Sequence, residues 1–148
     1  MEPVDVLRAV ELFEGLTDEE LVSLGAICGR ETLQAGDIIT REGQPGKRLF
    51  IVYKGFVEVT RSSRDPESKP RTVVNLGEGQ MFGEMALVDL GPRSATVRSV
   101  SPTTDLFVIE RDAFLQLCEN NHHLGYVVMR NIAADLSFKL RHRNLVAR

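Results

Sequence analysis

Apolar side chains recur at helical spacing near both ends of the chain and gather into short runs between them. Leu21, Leu24, Ile27 and Cys28 follow the helical period, and Gly29 marks a stop. Just ahead of them stands Thr17-Asp18-Glu19-Glu20, a capping box in which each of the two end side chains satisfies the other's backbone N–H. From about residue 31 to 110 the pattern changes to β-branched and aromatic runs. These are Asp37–Thr40, Leu49–Tyr53, Phe56–Thr60, Thr72–Leu76, Thr96–Val100 and Thr104–Ile109. Gly36-Asp37, Pro45-Gly46, Lys54-Gly55, Gly77-Glu78-Gly79, Gly91-Pro92 and Ser101-Pro102 punctuate them as turns. Short strands at this spacing predict a sandwich or barrel of the jelly-roll type.

The C-terminal part returns to helical spacing. Phe114, Leu115 and Cys118 predict a short helix over Arg111–Glu119, and Asn120-Asn121 interrupts it. A longer helix follows from about His122 to Arg143, with Leu124, Val128, Ile132, Leu136 and Leu140 as an apolar stripe. The stripe sustains no a/d heptad, so it supports a coiled coil only weakly. Ser62–Pro70 is polar and proline-bearing, hence an exposed hairpin loop. In the strand after it, Val73, Val74 and Leu76 face either the core or a cavity.

Composition narrows the class. The chain has 148 residues, enough for one domain (1–148) with a single core, and its net charge of −3 gives no overall pull toward nucleic acid or anionic membrane. Lys139, Arg141, Arg143 and Arg148 near the end are read as cations complementing a helix C-terminus, in preference to a DNA contact. Cys28 and Cys118 lie in apolar helical patterns and read as buried free thiols, with no metal-ligand spacing around either. The first residues carry no basic n-region, and the longest central apolar run, Leu49 to Tyr53, is far too short to span a bilayer. A cytoplasmic protein without membrane contact is expected.

The chemistry concentrates in Phe82-Gly83-Glu84-Met85-Ala86-Leu87-Val88-Asp89-Leu90-Gly91-Pro92-Arg93-Ser94-Ala95-Thr96. Arg93 offers a permanently charged fork of donors suited to an anion. Gly83 allows close backbone approach, and Glu84 opens a short helical turn through Leu87. A carboxylate beside an anion repels it, so Glu84 suits a hydroxyl donor instead. An isolated Glu and Arg at this spacing would be a surface ion pair of little worth. The surrounding residues set this pair apart. Matched at Phe82, Gly83, Glu84, Ala86, Leu87, Pro92, Arg93, Ala95 and Thr96, the segment resembles the phosphate-binding cassette of cyclic nucleotide-binding domains. That family includes the regulatory subunits of cAMP-dependent kinase, the catabolite activator protein and cyclic nucleotide-gated channels.

The resemblance covers nearly the whole chain. It implies a mainly β fold with flanking helices: a jelly-roll β-barrel of about eight strands, N-terminal helices over about 3–29, the barrel over about 30–110, and two C-terminal helices over about 111–144. By the same resemblance Glu84 is the ribose ligand and Arg93 the phosphate ligand. Gly83, Met85, Ala86, Ser94 and Ala95 complete the cassette's contacts. The last helix of the family caps the base, which makes Phe138 a candidate ring for stacking and Asp135 a candidate acceptor for a base edge. The alternatives are a core or interface role for Phe138 and a solvated position for Asp135. Ser94 occurs in sites of either nucleotide, and Asp135 would suit guanine. The expected ligand is cAMP or cGMP, with cAMP favoured and no metal.

Other motifs fail. Gly77-Glu78-Gly79-Gln80-Met81-Phe82-Gly83 misses the dinucleotide fingerprint by one residue, and Gly43–Arg48 has neither the spacing nor the hydroxyl of a phosphate loop. His122 and His123 are adjacent, and His142 stands alone in a basic tail. No enzyme is expected. The leading expectation is a cyclic nucleotide sensor whose C-terminal helix shifts with ligand, with a homodimer or an effector protein as partner. The alternatives are a non-binding oligomerisation module of the same fold, or a regulatory fragment of a larger channel, kinase or transcription regulator. A chain ending at Arg148 leaves no room for a helix-turn-helix.

Overall fold

A computed structural model describes residues 2–63, 65 and 67–146; Arg64 and Pro66 of the polar loop and Arg148 of the basic tail lie outside them. The N-terminal segment forms α1 (Pro3–Leu7), a 3-10 turn (Glu11–Phe13) and α2 (Asp18–Ala26). The capping box is present. Glu20 N–H donates to Thr17 Oγ1 at 3.2 Å, and Thr17 N–H donates to Glu20 Oε1 at 2.9 Å.

Eight strands follow among the described residues: β1 (Cys28–Gln34), β2 (Ile38–Thr40), β3 (Arg48–Lys54), β4 (Val57–Arg61), β5 (Arg71–Leu76), β6 (Met81–Phe82), β7 (Thr96–Ser99) and β8 (Thr103–Glu110). They form two antiparallel four-stranded sheets, ordered β1-β8-β3-β6 and β2-β7-β4-β5. The chain closes with α3 (Arg111–Asn120) and α4 (His122–Val146).

The expected first helix runs too far. It stops at Ala26, and Cys28 and Gly29 belong to β1, paired with Ile109 and Val108 of β8. Cys28 is therefore a strand residue and only Cys118 a helical one. The reason is tertiary. Seven consecutive register pairs with β8 satisfy the β1 backbone, although its side chains carry no clear apolar alternation. Burial pushes the Cys28 thiol up to about 11, while burial and then Glu119 raise that of Cys118.

The core has two parts, divided by the sheet that holds β3 and β8. Phe50, Val52, Val57, Phe82, Val97, Leu106 and Val108 form the inner cluster. Leu49, Ile51, Phe107 and Ile109 point the other way, onto Leu7, Leu24, Phe114, Leu124, Val128 and Ile132 of the helices. Strands covered on both faces lose the polar alternation, which is why Leu49–Tyr53 and Leu106–Ile109 read as unbroken apolar runs. The α4 stripe is buried only in its first half. Leu124, Val128 and Ile132 are in the core, Leu136 is half-buried, and Leu140 is 63% exposed.

Candidate functional site

The cassette begins where β6 ends. Phe82 is buried and stacks on Phe50 with ring centroids 5.0 Å apart. Gly83 then turns the chain with φ +83°, and a Cβ there would meet the Arg48 carbonyl at 2.9 Å, so the position is reserved for glycine. A 3-10 turn over Glu84–Leu87 follows, anchored by buried Ala86 and Leu87. Its first bond, Ala86 N–H to Gly83 O at 3.0 Å, takes the Ala86 donor that the resemblance offered to a ligand.

Arg93 is held through its backbone. Its N–H donates to Gln44 O at 2.7 Å, and its carbonyl accepts from Gly43 N–H at 2.8 Å. The side chain passes over Gly46 so closely that a Cβ there would fall 1.9 Å from Arg93 Nε. One terminal nitrogen, Nη2, donates to Arg48 O at 2.9 Å. Arg93 has no ion pair among the described residues. Burial first, then nearby Arg48, lower its pKa from the ordinary value, with Glu84 acting in the opposite sense. A half-buried, unpaired guanidinium is a site that gains from an anion.

These elements surround a cavity of about 520 Å³, a size that suits a small organic ligand. Its apolar lining includes Val59, Val73, Val74, Leu76 and Val97; its polar lining includes Glu84, Arg93 and Ser94. Val73 and Val74, which the sequence left between core and cavity, reach the cavity together because the β4–β5 register slips between Val59 and Thr60. Val59 pairs with Val74 and Thr60 with Thr72, so Val73 is the extra residue of a bulge. A second cavity, of about 420 Å³, lies against Arg93 too, with Arg41, Lys47 and Arg48 in its wall.

Of the residues singled out in the sequence, Gly83, Glu84, Arg93, Ser94, Ala95 and Phe138 meet in the larger cavity. Met85, Ala86 and Asp135 are not in its lining. Met85 faces outward, Ala86 sits beneath the turn, and Asp135 Oδ2 is held by Lys139 Nζ at 2.9 Å. Lys139 and His142 line the cavity and were not anticipated; His142 packs on Phe138 with centroids 4.3 Å apart. Their signal was present, since 135, 138, 139 and 142 follow the i, i+3, i+4, i+7 spacing of one helix face. Lys139 Nζ also contacts Glu84 Oε1 at 3.3 Å. Burial alone would lower the Lys139 pKa, but Asp135 and Glu84 outweigh it and raise it.

Residues 30–121 match the family model of the cyclic nucleotide-binding domain. The chain belongs to that family. It is 36% identical over 122 residues to the cyclic nucleotide-gated potassium channel mll3241 of Mesorhizobium japonicum, covering 82% of this chain and 32% of the channel. With human cGMP-dependent protein kinase 2 it shares 34% identity over 130 residues, 84% of this chain and 17% of the kinase. The chain thus spans a third or less of each of these relatives. Among solved structures, the N-terminal domain of a transcriptional regulator from Streptomyces coelicolor superposes with a TM-score of 0.83 at 29% identity, covering 94% of this chain and 95% of that one. The regulatory domain of Toxoplasma gondii PKA, crystallised with cAMP, gives 0.76 at 26% identity over 91% of this chain and 48% of that one. No helix among the described residues is long and apolar enough to cross a membrane, and no group of three or more His, Cys, Asp or Glu among them could hold a metal ion.

Proposed function

We propose that this domain is a sensor that binds a cyclic nucleotide in the larger cavity and reports it through α4. The cyclic phosphate pairs with Arg93 and Ser94, the ribose 2′-hydroxyl donates to Glu84, and the base lies along the valine wall against Phe138. The observation that carries this reading is Arg93, a half-buried cation with no ion pair among the described residues, lining a cavity that also has a valine wall. We read the two sheets as a jelly-roll barrel and the module as regulatory, with no chemistry of its own.

cAMP stands ahead of cGMP in this proposal. The sequence argument for guanine was an acceptor at Asp135, and that carboxylate is engaged by Lys139 and is not in the cavity lining. The cGMP-dependent kinase among the relatives keeps cGMP as the second reading. Isothermal titration with cAMP and with cGMP, on the wild-type chain and on Arg93→Ala, tests both. Saturable heat that the variant loses by about a hundredfold in affinity or more is expected, as for removal of a charged hydrogen-bonding partner from a desolvated pair. Folded, nucleotide-free protein that gives no heat with either ligand would overturn the reading.

A further inference from the structure

Among the described residues, Lys139 is the α4 side chain that hydrogen-bonds to the cassette. Its ammonium lies 3.3 Å from Glu84 Oε1 and 2.9 Å from Asp135 Oδ2. Asp135 sits one helical turn earlier on α4, so it aims the ammonium along the helix surface, while Glu84 belongs to the cassette turn. An ammonium has three N–H donors, and these two contacts leave a third for a ligand in the cavity that Lys139 lines. Glu84 in turn keeps Oε2 and further lone pairs. The Lys139 contact therefore shares the carboxylate and does not block it.

On the reading above that Glu84 receives the ribose, we propose that Lys139 is a second ribose-recognising residue: the 2′-hydroxyl donates to Glu84 and accepts from Lys139. A hydroxyl is both donor and acceptor, and this carboxylate–ammonium pair presents the complement of both. Two consequences follow from the placement of Lys139 on α4. Preference for a ribose over a 2′-deoxyribose depends on α4 as well as on the cassette. The sugar also draws α4 to the cavity, whichever base is attached. A 2′-deoxy ligand leaves both charged groups without their hydroxyl, the situation in which polar sites discriminate most strongly.

The test is titration of wild type, Lys139→Met and Lys139→Arg with cAMP and with its 2′-deoxy analogue. Lys139→Met keeps the apolar stem and, at a side chain more than half exposed, leaves the fold intact, which a circular dichroism melt verifies. The expected result is a loss of about tenfold in affinity for cAMP, little change for the 2′-deoxy analogue, and recovery of most of the discrimination in Lys139→Arg. Equal loss for both ligands would make Lys139 a general electrostatic contact and overturn the inference. No loss for either would overturn it as well. Failure of the wild type itself to bind cAMP is a different result, and it would remove the functional reading together with this one.

Discussion

The two halves of the cavity are built in opposite ways. The cassette is held by main chain: Gly83 O, Gln44 O and Gly43 N–H fix the turn and the arginine before any side chain is considered. Among the described residues, α4 is tied down chiefly through its first half. Asn131 Nδ2 donates to Leu12 O at 2.8 Å and to Glu14 O at 2.9 Å, and Ile132 is 2% exposed. Further along, Leu136 is half-buried, Phe138 is 63% exposed, and Lys139 hydrogen-bonds to the cassette at Glu84. In the proposed sensor, the rigid half would set what is recognised. The lightly held half is the one a ligand would reposition in that sensor, because few contacts must be exchanged to move it.

The sharpest way to break this contrast is along α4 itself. Ile132→Ala removes a buried side chain from the helical core and is expected to cost roughly 2–5 kcal/mol in urea unfolding. Phe138→Ala, six residues later, should leave stability within about 0.5 kcal/mol, yet weaken nucleotide binding by about tenfold as a stacking surface is lost. If Phe138→Ala proved as destabilising as Ile132→Ala, the distal helix would be part of the core and the contrast would collapse.

On the cassette side the corresponding probe is Gly46→Ala. Gly46 is not among the glycines with positive φ, so alanine brings no backbone strain. What its Cβ meets is the Arg93 side chain, at 1.9 Å. That side chain must leave its place, and affinity should fall nearly as far as in Arg93→Ala, about a hundredfold. Thermal unfolding should shift by no more than about 2 °C. Unaltered affinity would show that the guanidinium reaches its anion from a second position, and that the cassette is less rigid than its backbone.

Gly46 also shows where sequence reading stops. The sequence reads Pro45-Gly46 as a turn, whereas in the structure Pro45 bridges to Pro92 and the turn falls at 42–43; nothing local says that an arginine from residue 93 lies across Gly46. The capping box at Thr17–Glu20, the β3 and β8 runs and the cassette were legible because each is specified by residues close in sequence. β1 was not, since its strand character comes from backbone pairing with β8 under a polar, irregular pattern. β6, two residues long, carries too little pattern to be seen at all. For the site, Phe138 and Asp135 marked the right face of α4. Which members of that face enter the cavity depends on the angle at which the helix crosses it, and Lys139, not Asp135, makes the contact.

The smallest effect concerns the base of α4 and its dependence on pH. Glu20 is buried and accepts from Thr17 N–H and Asn121 Nδ2, with His123 Nδ1 at 2.9 Å, so it ties α2 to the α3–α4 junction. Burial alone would raise its carboxyl, but Thr17, His123 and Asn121 outweigh it and hold the pKa below the ordinary 4.5. A carboxyl depressed in the folded state binds its proton more readily when unfolded. Its stabilisation is therefore complete above the unfolded value and is lost as pH falls through the lower, folded one. Glu20→Gln should flatten this acid limb in urea unfolding measured below about pH 5, and an unchanged limb would remove Glu20 from the account. At neutral pH the variant's nucleotide affinity should equal that of the wild type, because Glu20 anchors the buried start of α4 and, on the proposed reading, the ligand meets its exposed end. A change in affinity would mean that the anchor and the responsive end move as one body.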